Sequence, residues 1–141
     1  MCMIKKVILL VVLVSVGLTA SAQKKKKEPG YKEYFLEGSY LLLEDEPELA
    51  LKNFKKAYAL DSSSSNINYM MGISCLLSAN HKAEAEYYLQ KSVTTISGTY
   101  KADSYKEKSA PPLSHFYYGK ALHLNYKFNE AIKNTRLLNL A

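Results

Sequence analysis

The residues that could ligate a metal ion are few in this chain of 141 residues. A metal site needs several ligands that converge, but no Cys, Asp or Glu stands beside His115 or His123, and His81 lies in a predicted turn. The acidic run from Glu44 to Glu48 lacks the spaced Asp or Asn residues, the Gly and the closing Glu of a calcium loop. We therefore expect no metal site, and we interpret the acidic run as a solvated turn.

Nucleophilic and cofactor chemistry are not indicated either. Cys75 lies in an apolar stretch, where a lone thiol is more often a small core residue than a reactive nucleophile. The sequence contains no glycine-rich phosphate loop, no Gly-x-Ser-x-Gly elbow and no paired-cysteine motif. We expect a protein that is not an enzyme and that binds no cofactor.

The first 22 residues have the pattern of a secretory signal peptide. Two lysines precede an apolar run of 12 residues, Val7–Leu18, and the small residues Ala20-Ser21-Ala22 then form a cleavage site. A helix needs roughly 20 apolar residues to span a bilayer, so a permanent membrane anchor is the weaker interpretation. We expect export, cleavage after Ala22, no transmembrane segment in the mature chain, and a periplasmic or outer-membrane-associated location.

The net charge of +6 comes from the leader and from a basic linker at residues 23–30. Of 19 Lys and Arg, six lie at positions 5, 6 and 24–27, and the remaining 13 equal the 13 Asp and Glu. The folded part therefore has no net charge and no excess of basic residues that would favour nucleic-acid binding. The run Lys24–Lys27 reads as a solvated tail, with an anionic membrane surface or peptidoglycan as the alternative contact.

A repeat organises the rest of the sequence. Gly38 and Gly72 lie 34 residues apart in similar apolar, aromatic stretches, a period that is typical of stacked helical hairpins. In the first unit, residues 31–64, the stretch before Pro47 separates two predicted helices. Ala50 and Phe54 in the second of these helices begin a stripe with the spacing of a buried face.

Two further units follow, at residues 65–96 and 115–141. The turn of the second unit is one residue longer, and the third unit again carries a glycine and an alanine in step, at Gly119 and Ala131. Twelve inserted residues break the register between them, and residues 97–114 are predicted to form a polar surface loop with one short helical turn. Such insertions often lie on the binding face of a stack, although a tolerated surface loop is the other interpretation.

Each unit resembles the tetratricopeptide repeat (TPR), whose first helix carries an aromatic residue, Leu-Gly and Tyr and whose second carries Ala, x3, Phe. Thr135 makes the third unit the weakest match. The resemblance implies an all-α fold, an α-solenoid of about three helix-turn-helix repeats after a cleavable signal peptide. The stretch from Ala110-Pro111-Pro112 to Ile132 is also similar to the N-terminal repeats of bacterial envelope proteins that continue into a WD40-like β-propeller and an OmpA-like peptidoglycan-binding domain.

The TPR resemblance implies a groove for protein partners, lined by the inner faces of the first helices. By repeat position its lining would be Phe35, Ser39, Leu42, Tyr69, Met70, Ile73, Phe116, Tyr117, Lys120 and His123. This lining is mainly apolar and aromatic, so it favours protein surfaces over a C-terminal carboxylate, unless neighbouring helices cover part of it. The leading hypothesis is a non-catalytic interaction scaffold of the cell envelope.

A second hypothesis is an N-terminal fragment of an OmpA-like, peptidoglycan-anchored envelope protein. A third, an accessory role beside an envelope hydrolase, has no direct support in the sequence. No capping helix is expected after the third repeat, and its last helix has more apolar surface than one neighbour covers, at Ile132, Leu137, Leu138 and Leu140. We therefore expect self-association through this helix, or a partner bound to it.

Overall fold

A computed structural model describes residues 28–138. Over this range the chain forms six α-helices and one short 3₁₀ helix, and the prediction of an all-α fold of repeated helices is confirmed. The helices are α1 (Tyr31–Leu43), α2 (Pro47–Leu60), α3 (Ser65–Leu77), the 3₁₀ helix (Lys82–Glu84), α4 (Ala85–Ser92), α5 (Ser114–Leu124) and α6 (Phe128–Leu137). The predicted signal peptide, the Lys24–Lys27 run and Leu140 lie outside the described residues.

Successive helices pair into three hairpins, which stack in chain order. Hairpin 1 is α1–α2, hairpin 2 is α3–α4 and hairpin 3 is α5–α6. Each hairpin also packs on the next, because α2 contacts α3 and α4 contacts α5. Since α3 lies between its two neighbours, nearly all of its residues are buried.

The turns of hairpins 1 and 3 have the same geometry. Asp45 adopts a left-handed conformation with φ of 60°, and the N–H of Glu46 donates to the carbonyl of Leu41 at 2.9 Å. This bond and a second one, from the N–H of Asp45 to the carbonyl of Leu42 at 3.4 Å, satisfy free carbonyls at the end of α1 in the arrangement of a Schellman motif. Hairpin 3 repeats the turn at Tyr126, with φ of 62°. The longer turn of hairpin 2 contains the 3₁₀ helix instead.

One glycine in each hairpin allows the two helices to approach closely. The pairs in contact are Gly38 with Phe54, Gly72 with Leu89 and Gly119 with Thr135. A Cβ atom on Gly38 would lie 2.7 Å from the Phe54 ring, and one on Gly72 would lie 2.7 Å from Leu89 Cδ2. A larger residue would require the facing side chain or the facing helix to move. The repeated glycines of the sequence are thus repeated points of helix contact.

Polar side chains join the hairpins at their edges. Ser78 at the end of α3 donates to Glu48 on α2, and this hydrogen bond lowers the pKa of Glu48. Asn125 after α5 donates to Glu86 on α4 at 2.5 Å, and Lys127 pairs with the same carboxylate. Each contact fixes the start of one second helix against the end of the following first helix.

The inserted segment differs from its prediction. Residues 97–110, here called the strap, form successive turns and no helical turn. A parallel β-bridge between Ile96 and Ala110 closes the base of the strap, and the N–H of Ser97 donates to the carbonyl of Ala110 at 2.9 Å. No helix within residues 28–138 is long and apolar enough to cross a membrane.

Candidate functional site

The side chains that could do chemistry do not converge in the described part of the chain. No three His, Cys, Asp or Glu residues there are placed to hold a metal ion. Burial raises the pKa of the Cys75 thiol to about 12, so it stays protonated and packs as a core residue. His81 Nδ1 lies 2.6 Å from Glu84 Oε1 near the surface, whereas His123 packs edge-on against Phe128. What the described residues do offer is helix surfaces that another molecule can contact.

The strap folds back onto the first turn of α3. The Tyr100 hydroxyl donates to Asn66 Oδ1 at 2.7 Å, and Asn66 Nδ2 donates to the carbonyl of Glu107 at 3.4 Å. The backbone N–H of Asn66 also donates to the carbonyl of Lys108, at 3.4 Å. Asn66 is fully buried, and its buried polar groups need hydrogen-bond partners. Since the strap supplies these partners, the three hydrogen bonds hold the strap against the start of α3.

An ion pair fixes the outer side of the strap to hairpin 1. Lys108 pairs with Asp61, which follows α2, and this hydrogen bond lowers the pKa of the Asp61 carboxyl. The Lys108 ammonium also lies over the Tyr31 ring, 5.4 Å from its centroid. The strap therefore bridges the first two hairpins across the predicted concave face.

Three residues of the predicted groove are packing residues. Phe35 is fully buried against Phe54, with ring centroids 6.0 Å apart. Tyr69 is buried under the strap, where its ring meets those of Tyr100 and Tyr117 edge-on at 6.1 and 6.0 Å. Burial raises the pKa of Tyr69, and Met70 beside it is also buried. The predicted continuous groove is thus interrupted at its centre, because the strap fills it.

The other predicted residues of the first two hairpins lie around a small cleft or in the core. Ser39 and Leu42 are half-buried and, with the buried Met70, line a cleft of about 410 Å³. Its other lining residues are Leu36, Tyr40 and Leu43 on α1 and Ala102 and Asp103 of the strap. Ile73 is half-buried and packs against the core. This cleft is closed on one side by the strap.

The larger open cleft lies between the two helices of hairpin 3. Phe116, Lys120 and His123, three of the predicted residues, line this cleft of about 740 Å³, while the half-buried Tyr117 packs against Phe116. We call it the α5–α6 groove; its further lining residues are Gly119, Leu124, Phe128, Ala131, Ile132, Thr135 and Arg136. Its walls are apolar and aromatic, and its rim carries the cations Lys120 and Arg136. The residues from α6 are absent from the predicted lining, because that prediction used first helices alone.

Ile132 in this groove occupies a position that is covered in hairpin 1. It follows Ala131 as Leu51 follows Ala50, and both alanines are buried at the helix contact. In hairpin 1 the next helix, α3, packs on α2, and Leu51 is 2% exposed, whereas Ile132 is 53% exposed. The α5–α6 groove is therefore a stacking face with no helix on it among residues 28–138.

No protein-family model matches the chain, and no curated protein matches it significantly. Its function is therefore inferred from the chemistry of these surfaces.

Proposed function

We propose that this chain is a non-catalytic protein-interaction module of the TPR type. In this proposal a signal peptide exports it to the periplasm or to the outer membrane of a cell envelope. The single observation that carries the proposal is the α5–α6 groove, whose apolar walls are exposed in the chain.

The chemistry of the groove suits a protein surface. Phe116, Phe128 and Ile132 are all partly exposed, and apolar clusters of this kind on a soluble surface mark interfaces. The neighbouring Lys120 and Arg136 supply a cationic rim, and aromatic residues together with Arg are enriched at interfaces. A groove between two helices accepts the apolar side of a third helix. The expected partner element is a helix with an apolar stripe and acidic neighbours.

The helical hairpins support the TPR assignment. In each hairpin a glycine on the first helix meets a larger residue on the second, and a buried alanine lies four residues before that larger residue. The sequence signature puts its glycine and its Ala, x3, Phe pair at these same places. We therefore carry over from the resemblance the class of function, which is binding of protein partners.

Site-specific photo-crosslinking in cells tests the groove. A crosslinking amino acid at Ile132 should give covalent protein adducts, because the partner helix would lie on this side chain. Leu60 is a matched control, since it is 58% exposed on α2 and lies outside the groove. Equal adducts from both positions, or none from Ile132, would refute the proposed binding face.

The export part of the proposal rests on residues 1–22 and has its own test. Intact mass of the protein from a fractionated cell should correspond to a chain that begins at Gln23, in the envelope fraction. A full-length chain in the cytoplasm would refute export and would leave the groove proposal to stand alone.

A further inference from the structure

On the assumption that the α5–α6 groove binds protein, we infer that its partner is α1 of a second copy of this chain, bound head to tail. This inference deepens the proposed function by naming the occupant of the groove. It rests on how first helices already stack within the chain, on the exposed face of α1 and on the charges of the two surfaces.

First helices use one common face to pack on the hairpin before them. On α3 this face holds the buried residues Ile67, Met71, Ser74 and Ser78, and Ser78 bonds to α2. The same positions relative to the glycine of α5 are Ser114, Tyr118, Ala121 and Asn125, of which the first three are buried and the last bonds to α4. One register of packing thus repeats at both junctions between hairpins.

The corresponding face of α1 meets no preceding hairpin in the described chain. Its residues at those positions are Glu33, Glu37, Tyr40 and Glu44. Tyr40 is 57% exposed, and Leu36 and Leu43 beside it are also exposed. Among the helices of residues 28–138, α1 packs on α2 and α3 alone, and it also contacts the strap, so it does not contact the α5–α6 groove of its own chain.

The charges of the two faces are opposite. Glu37 on α1 and Glu44 directly after it are exposed, while Lys120 and Arg136 are exposed on the rim of the α5–α6 groove. In this register Glu33 and Glu37 take the positions of the buried Ile67 and Met71 of α3, so docking places both carboxylates within the contact. The contact therefore requires Lys120 and Arg136 to pair with these carboxylates, and such pairing favours one orientation of docking. Tyr40 would lie on Ile132 at the centre of this contact, in the way that α3 lies on Leu51.

Such a contact is heterologous and does not close on itself. The α1 face belongs to hairpin 1 and the groove belongs to hairpin 3, so each copy keeps one free face after pairing. Head-to-tail contacts of this kind generate rings or open chains of copies, depending on the rotation between neighbours. The structure thus assigns to this protein a capacity to extend its stack of hairpins from copy to copy.

Two single substitutions test this inference by sedimentation velocity over a range of concentrations. Ile132→Glu blocks the groove and Tyr40→Glu blocks α1, and both side chains are exposed, so the fold should tolerate each change, as circular dichroism will check. The unmodified chain should form oligomers that grow with concentration. Each variant alone should associate at least about tenfold more weakly, because docking would bury an unpaired charge.

The decisive sample is an equal mixture of the two variants. The intact α1 of the Ile132→Glu chain can enter the intact groove of the Tyr40→Glu chain, so the mixture should form a one-to-one dimer and nothing larger. Leu60→Glu, an equally exposed site outside both faces, should associate like the unmodified chain.

Three results would overturn the inference: a mixture that stays monomeric, a Tyr40→Glu chain that associates normally, or an unmodified chain that is monomeric throughout. In each case Ile132 adducts with a different protein would leave the proposed function intact, whereas absence of any Ile132 adduct would remove both.

Discussion

Hairpins 1 and 3 have the same local design and opposite surroundings. Both have a left-handed residue in the turn, at Asp45 and Tyr126, and in both a glycine on the first helix allows close contact with the second. Yet α3 covers the open side of hairpin 1, whereas the equivalent side of hairpin 3 forms the α5–α6 groove.

This difference separates two levels of organisation. Turn residues and close-contact glycines determine that a hairpin forms, and they act within about 34 residues of sequence. Burial of the outer face of a hairpin depends on the next element in the stack, because each repeat contacts only its neighbours. The apolar residue after the buried alanine is therefore core in hairpin 1, at Leu51, and exposed in hairpin 3, at Ile132.

The largest expected effect comes from truncating the same repeat position in the two hairpins. Leu51→Ala should lower the free energy of unfolding by about 2–5 kcal/mol, because it leaves a cavity under α3. Ile132→Ala should change it by less than about 0.5 kcal/mol in dilute protein, where the side chain remains exposed. Urea denaturation of both variants measures the difference; equal losses would mean that the groove of hairpin 3 is filled within one chain.

The close-contact glycines give the next largest difference. Gly38→Ala should destabilise by about 1–3 kcal/mol, since the new Cβ meets the buried Phe54 ring, although alanine itself favours helix by about 1 kcal/mol. Gly119→Ala meets the Thr135 hydroxyl at 2.5 Å and the Ala131 carbonyl oxygen at 3.1 Å. The hydroxyl can rotate away by giving up its hydrogen bond to that carbonyl, so this change should cost less than the clash with a buried ring. Thermal unfolding of the pair would contradict the comparison if Gly119→Ala were the more damaging change.

The strap extends the comparison to the middle of the chain. Tyr100→Phe removes the hydrogen bond to the buried Asn66 Oδ1 and should lower the free energy of unfolding by about 1–3 kcal/mol. Tyr126→Phe is the matched control, because that ring is exposed in a turn. Faster hydrogen exchange at the first turn of α3 in Tyr100→Phe alone would support the assigned contact, and identical behaviour of the two variants would exclude it.

The smallest effect concerns pH. The hydrogen bond from Lys108 lowers the pKa of Asp61 below its ordinary value of 3.8, so this contribution to stability is complete above that value and is lost as the pH falls through the lowered one. A partly exposed ion pair contributes about 0–1 kcal/mol. Asp61→Asn should therefore be slightly less stable than the unmodified chain at pH 6, and the difference should shrink as the pH falls below 3.8. A constant difference across this range would assign the effect to packing.

The sequence was most informative where structure is set locally. Ala50, Phe54 and the repeated glycines could be identified from their spacing, because helix contacts recur with the helical period. Tyr69 and Met70 could not be recognised as buried, since the covering Tyr100 lies in an insertion whose path is set by tertiary packing. One signal was present in Asn66, a polar residue at the start of a mainly apolar helix, because its side chain needs a partner if it is buried.

Hydrogen exchange of hairpin 3 as a function of protein concentration tests most directly the claim that its groove is an open intermolecular face. The account predicts that amides from Ala131 to Leu137 exchange fast when the protein is dilute and become protected as it associates. Amides of α2, from Ala50 to Ala57, should be protected equally at every concentration. Protection of Ala131–Leu137 that is already strong in dilute protein, and that does not change with concentration, would contradict the account.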